Sequence, residues 1–189
     1  MELKEQAIAN LKRFYWAAKQ VELPFCLMDG TLLGAVRDGD FCPGDEDDLD
    51  VGVMDADYHI VDGLVGLLKP QGFEAYKPLI LKGKVEGFGL KRGASHFDVI
   101  RVNHHPERPE CYNVGRGPNG LMAFVYPSKH HEGFEEIEFY GMKLNVPADP
   151  EGFLTARYGD WRTEIRRPEF NWYEQSKRSS IREDYDALS

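Results

Sequence analysis

Nine acids and no base lie between Asp38 and Asp57 (Asp38, Asp40, Asp45, Glu46, Asp47, Asp48, Asp50, Asp55 and Asp57). The formal net charge of the 189-residue chain is −9, so this one segment holds the whole imbalance. Like charges this close repel, and a fold that packs them must supply water, protons or a cation. A solvated acidic loop would meet that condition, but the pattern inside the segment is not that of a loop. Asp48-Leu49-Asp50-Val51-Gly52-Val53 alternates with a period of two, the mark of a half-buried strand. Residues two apart on a strand share a face, so Asp48 and Asp50 point one way while Leu49, Val51 and Val53 point into the core.

Composition narrows the class. With 42% hydrophobic and 29% charged residues the chain is globular, and its length suits one domain. It holds no run of about 18 apolar residues, so no bilayer-spanning helix is expected. The opening residues Met1-Glu2-Leu3-Lys4-Glu5 read as helix rather than as a signal peptide. Cys26, Cys42 and Cys111 are an odd number without a CxxC pair, which favours a reducing compartment, the cytoplasm, over a disulfide framework or a zinc ribbon. The acidic balance disfavours a nucleic-acid partner.

Hydrophobic spacing predicts an amphipathic helix over residues 3–20, a short strand ending at Met28, and a second short helix after Asp29-Gly30-Thr31. A helix from Tyr58 to Leu68, capped by Asp55 or Asp57, follows the aspartate strand. Strand-like stretches then run over 73–76, 79–82, 87–91 and 96–102. Residues 103–120, rich in Pro, Gly, His and Arg, read as a long irregular loop. A hairpin is expected from 121–126 with 136–146, and a helix through Tyr158 with Asp149 as N-cap and Pro150 in its first position. The fold class is therefore α/β (α+β), a mixed β-sheet with flanking helices. Residues 162–189 are expected to pack as a surface strap.

Paired carboxylates on one strand face suit hard divalent ions, Mg²⁺ or Mn²⁺, which commonly bridge acids and substrate phosphates. Asp98, in the apolar stretch His96-Phe97-Asp98-Val99-Ile100, is a third candidate, because an unpaired carboxylate there would be costly. Two strands carrying these acids could hold two ions for an in-line displacement at phosphorus. Upstream, the Gly30-Thr31 turn opens a helix, and free backbone N–H groups at such an end attract phosphate.

The stretch Asp29-Gly30-Thr31-Leu32-Leu33-Gly34-Ala35-Val36-Arg37, followed by Asp48-Leu49-Asp50-Val51-Gly52, resembles the LicD/fukutin family of the nucleotidyltransferase superfamily. Asp98, Val146-Pro147-Ala148-Asp149-Pro150 and Tyr158-Gly159-Asp160-Trp161 extend the likeness over roughly residues 20–165. The resemblance implies a DNA-polymerase-β-like fold for the single domain 1–189. It further implies a Mg²⁺-dependent phosphotransferase that moves phosphocholine or ribitol phosphate from a CDP-linked donor to a sugar, as in cell-surface glycan modification. Asp48, Asp50 and Asp98 would then be metal ligands and the catalytic triad, and Gly30 and Thr31 would lie at the donor phosphates. Family members commonly show P-W-D-D-D-h-D, whereas this chain has Pro43-Gly44-Asp45-Glu46-Asp47-Asp48-Leu49-Asp50, one residue longer and without the tryptophan. That departure touches the acceptor more than the chemistry.

Other candidates divide between substrate and surface. Arg37 suits either a phosphate contact or a salt bridge to a nearby acid. Lys91, with Arg92, is a candidate for the second phosphate or plain surface. Asp29 suits a turn or helix cap. His104-His105 and His130-His131 read as loop surface, Tyr158-Gly159-Asp160-Trp161 as a helix stop with a packing tryptophan, and Arg157, Arg162, Arg166 and Arg167 as a basic stretch that could face the acidic segment or an anionic acceptor, with a solvated face as the default. Two rival functions remain: a nucleotidyltransferase moving a nucleoside monophosphate from a triphosphate, and a non-catalytic binding module on the same fold. Intact, mutually repelling carboxylates argue against the latter.

Overall fold

The computed structural model describes residues 2–165 and 171–188; Arg166 and Arg167 lie outside them. Helix α1 (Leu3–Gln20) buries Ala7, Leu11, Phe14 and Ala18 along one stripe, and the Phe14 ring stacks on Phe97 with centroids 4.8 Å apart. A reciprocal capping box between Glu2 and Glu5 satisfies its first turn. Strand β1 (Cys26–Leu27) is only two residues long, because Pro24 and the helix α2 (Asp29–Arg37) bracket it. Strand β2 (Asp48–Met54) buries Leu49, Val51 and Val53, as its alternation requires. A 3₁₀ turn (Asp55–Ile60) precedes α3 (Val61–Leu68), so this helix starts later than its spacing suggests and takes no side-chain cap from Asp55 or Asp57.

Strands β3 (Glu74–Leu81), β4 (Lys84–Arg92) and β5 (Ser95–His104) follow as an antiparallel meander. The expected loop over 103–120 is a correction: it finishes β5 and forms β6 (Glu110–Gly117), which pairs along its whole length with β7 (Gly120–Pro127). Glycine content misleads there because Gly115 lies under the Phe124 ring, where a Cβ would come within 2.7 Å of Phe124 Cε2. Buried Asn113 is satisfied by the Tyr126 hydroxyl. The expected 121–126/136–146 hairpin is also wrong in its pairing. β8 (Phe134–Phe139) pairs instead with β9 (Met142–Pro147), and β7 pairs with β6 and with β10 (Ile181–Arg182). Helix α4 (Pro150–Tyr158) begins as expected, with Asp149 Oδ1 accepting from the Gly152 N–H at 2.9 Å. A short α5 (Trp172–Lys177) precedes β10.

The strands form one sheet in the order β10-β7-β6-β5-β2-β1-β9-β8, with β4 and β3 branching from β5. Only β2·β5 and β1·β9 are parallel among the described pairs. β4 and β6 share one edge of β5, β4 along Ser95–Ile100 and β6 at Asn103–His104. The sheet thus forks, and residues of both branches line one large cavity.

The second histidine pair is buried, which corrects its reading as loop surface. His130 Nδ1 hydrogen-bonds Asp149 Oδ2 at 2.9 Å, fixing the cap of α4. His131 sits between Tyr126 and Phe153, each ring 5.2 Å away, and neither of its nitrogens has a partner. Burial first, then the neighbouring His130, lowers its pKa to about 3. A base whose folded pKa lies below its unfolded value stabilises the native state above about pH 6.5 and loses that contribution as pH falls toward 3. His131→Phe is therefore expected to resist acid: between pH 7 and 4 the parent loses about 3 kcal/mol more than the variant. Denaturant titrations at the two pH values check this, and equal losses would show that the imidazole is not held neutral.

Candidate active site

The site is built on the junction of α2, β2 and β5. β2 and β5 run parallel with Asp50 in register with Asp98 and Asp48 in register with His96. Partners in register face the same side, so Asp48, Asp50 and Asp98 converge, each offering an oxygen within 4.8 Å of the others'. Asp50 is held by the backbone: its Oδ2 accepts from the Gly30 N–H at 2.9 Å. Asp48 Oδ1 is buried without a hydrogen bond; His96 Nε2 lies 3.1 Å away, near enough for an ion pair but not aligned as a donor. Burial and then the charge of Asp98 raise the Asp48 carboxyl to about 6. Burial and then Asp48 push Asp50 well above the usual range, and burial raises Asp98 despite His96.

These properties fit a divalent cation. The donor set is all carboxylate oxygen, one buried oxygen is orphaned, and each charge is penalised by the others, which a hard ion reverses. Mg²⁺ or Mn²⁺ matches that chemistry better than zinc.

Gly30 leaves room at the centre, since a Cβ there would meet Asp45 Oδ2 at 2.7 Å and Asp50 Oδ2 at 3.3 Å. Its N–H is engaged by Asp50 and orients that carboxylate, and Gly30 itself lines the cavity. Thr31 is buried and does not line the cavity; its Oγ1 accepts from the Asp50 N–H at 2.8 Å and ties α2 to β2. The structure thus sets Thr31 behind Asp50, one layer back from the cavity wall. Arg37 lines the cavity but pairs with Asp38, Nη2 to Oδ2 at 2.7 Å. Lys91 does not line it: its ammonium pairs with Glu74 at 3.2 Å, and Arg92 is turned to the carbonyl of Gln71 and to Asn10.

Arg157 meets an acid rather than solvent, and Asp29 sits in the turn that opens α2. Arg157 is buried, not a solvated base, and its Nε donates to Asp29 Oδ1 at 2.8 Å while its guanidinium lies 3.8 Å from the Phe124 centroid. Asp29 caps nothing; it opens α2 with φ +40°, a left-handed conformation that a non-glycine residue holds only when its surroundings enforce it. Spacing could have revealed Arg157, because it shares the buried stripe of α4 with Phe153 and Leu154. Tyr76 and Lys77, which line the cavity from β3, were also missed, and nothing in their local sequence marks them. The cavity, about 1100 Å³, extends from the acids to Met122, Phe124, Trp161 and Trp172. Gly159 ends α4 and Trp161 packs in the core, as a helix stop with a packing tryptophan requires, while Tyr158 and Asp160 line the cavity.

A mixed sheet flanked by helices, with acids on adjacent strands facing such a cavity, is a nucleotidyltransferase-type fold. The crystal structure of ANT(2")-Ia in complex with adenylyl-2"-tobramycin superposes with a TM-score of 0.53, at 14% identity over 91% of this chain and 88% of that one. The solution structure of the antibiotic-resistance factor ANT(2")-Ia gives 0.54 at 15% identity, over 93% and 85%. At such identity the likeness is one of fold.

Residues 22–149 match the family described as LicD/FKTN/FKRP, nucleotidyltransferase domain, and the chain belongs to that family. An uncharacterized protein of Rickettsia prowazekii is 28% identical over 144 residues, 74% of this chain and 48% of that protein. One of Rickettsia typhi is 29% identical over 143 residues, 74% and 41%. The chain spans less than half the length of these relatives. No helix among the described residues is long and apolar enough to cross a membrane.

Proposed function

We propose that this chain is a phosphotransferase that moves a phospho-alcohol, of the phosphocholine or ribitol-phosphate kind, from a CDP-linked donor to a sugar hydroxyl. The observation that carries this reading is the convergence of Asp48, Asp50 and Asp98 within 4.8 Å on the wall of a cavity large enough for two substrates. Divalent ions, two in this reading, would be held by those three acids and would neutralise the donor's diphosphate. The chain's own groups do the rest. Gly30 fixes Asp50 in place, and Arg37, at the cavity wall, is the group proposed to meet the donor's outer phosphate. The acceptor oxygen bonds to the phosphorus that bears the alcohol, and its proton passes to the Asp98 carboxylate. The bond from that phosphorus to the bridging oxygen breaks, and CMP leaves with the electron pair. Phosphoryl transfer asks chiefly for such positioning and charge neutralisation. We place the reaction in the cytoplasm, where Cys26, Cys42 and Cys111, all free, would stay reduced.

The rival within the same fold is attack at the phosphorus next to the nucleoside, which transfers the nucleoside monophosphate and releases pyrophosphate. The same acids serve both reactions, so product analysis decides. The chain is incubated with Mg²⁺, candidate sugars and either CDP-choline, CDP-ribitol or CTP. CMP release from a CDP-alcohol, dependent on added sugar, is the expected result. Pyrophosphate from CTP, with no CMP from any CDP-alcohol, would replace this reading with nucleotidyl transfer.

A further inference from the structure

The face that carries the three acids continues across the sheet. Register places Asp50 beside Asp98, Asp98 beside Gly89, and Gly89 beside Tyr76, one row crossing β2, β5, β4 and β3. The adjoining row is Asp48, His96, Lys91 and Glu74. In the first row Gly89 leaves a gap, and the Tyr76 ring fills it: a Cβ on Gly89 would come within 2.4 Å of Tyr76 Cε1 and Cζ. The phenol therefore lies down over β4 toward the centre, and it feels the charges of Asp98 and Asp48. Immediately after it β3 bulges, with the register shifting between Tyr76 and Leu79 and Lys77 at φ +47°. Bulges on edge strands commonly re-aim side chains beside active sites.

Lys77 lines the cavity, and its ammonium is 5.6 Å from the Tyr76 centroid. Of the other cations nearby, Arg157 is engaged by Asp29 and Lys91 by Glu74, and Arg37 lies on the α2 side of the cavity. No ion pair among the described residues uses Lys77. An aromatic face and an unengaged ammonium thus stand together on the Asp98 side of the centre.

We propose that Tyr76 and Lys77 form the acceptor subsite, which takes a sugar ring against the phenol and an anionic substituent of that sugar, phosphate or carboxylate, on the Lys77 ammonium. This rests on the transfer reading, in which Asp98 receives the acceptor's proton, so the body of the acceptor extends along the row from Asp98 to Tyr76. The substrate class follows: an acidic sugar, with any choline-like cation confined to the donor.

The test is binding, measured on the ¹⁵N-labelled full chain with Mg²⁺, using glucose, glucose 6-phosphate and glucuronate as probes. Both acidic sugars should bind about fivefold more tightly than glucose, as one partly exposed charge contact allows. Their shifts should centre on the amides of Tyr76, Lys77 and Gly89. Tyr76→Ala should weaken all three sugars by about tenfold, the scale of one aromatic contact, and Tyr76→Phe should restore them. Gly89→Val, which drives the ring out of its gap, should reproduce Tyr76→Ala. Lys77→Gln should abolish the preference for acidic sugars and leave glucose unchanged, and CDP-choline affinity should stay constant in every variant. The proposal is overturned by equal binding of the three sugars to the parent, by a preference that survives Lys77→Gln, or by loss of CDP-choline binding in Tyr76→Ala, which would put the ring in the donor site. The expected sugar pattern in a chain that binds neither CDP-choline nor CTP would uphold the subsite and reject the transfer reading.

Discussion

Asp50→Asn is expected to reduce transfer by at least about 10³-fold while raising the melting temperature of the metal-free chain. The amide oxygen can still accept the Gly30 N–H that Asp50 Oδ2 accepts, so the local geometry persists. What disappears is a buried charge that Asp48, Asp29, Asp98 and Asp45 all oppose. Asp48→Asn should behave alike, with a pH signature. The Asp48 carboxyl sits at about 6 in the folded chain, above its unfolded value, so the native state takes up protons more readily than the unfolded one. Below about pH 4 both states are protonated and the parent bears no penalty; the penalty grows as pH rises through 6. The variant's advantage should be absent at pH 4 and complete above pH 6, about 1 kcal/mol after solvent screening, or about 2–4 °C. Melting curves in chelator give the sign, and product assays with Mg²⁺ give the rate. Near-normal turnover in either variant would remove these residues from the metal centre.

Arg157→Met should be the most damaging single change to stability. The guanidinium is buried, and its removal leaves the Asp29 carboxylate uncompensated next to Asp50. Breaking a buried pair from one side costs about 3–5 kcal/mol, which for a chain of this size lowers the melting temperature by about 10 °C. The double variant Asp29→Asn/Arg157→Met should recover most of that loss, because no orphan charge remains. If the single change costs less than about 1 kcal/mol, or the double is no better, the pair is not what holds the left-handed Asp29.

Much of this was legible in the sequence wherever local pattern and tertiary role coincide. Period-two alternation identified β2 and set the direction of Asp48 and Asp50, and Asp149-Pro150 marked the start of α4. The third acid was legible because a carboxylate inside an apolar strand needs a reason. Pairing was not legible. Residues 103–120 looked like loop by composition, and only their partners in β5 and β7 make the glycines acceptable. The same holds for Tyr76, whose position beside Asp98 depends on a register shared by four strands. Thr31 and Arg157 both belong to the layer behind the acids, where a polar residue is needed to hold another in place. Composition cannot distinguish such a residue from one that meets substrate.

The parallel contact of β2 with β5 also governs how the molecule assembles. Asp50 and Asp98 are neighbours in space but about fifty residues apart along the chain, and α3, β3 and β4 are threaded between them. Non-local, parallel pairings of this sort close late and slowly. Here the β2·β5 closure is also the event that drives three carboxylates together, so it runs uphill against charge. A cation able to bridge them lowers that hill. A chain whose three acids take up a divalent ion would then mature faster where that ion is abundant, with its unpaired strand edges open to aggregation for a shorter time.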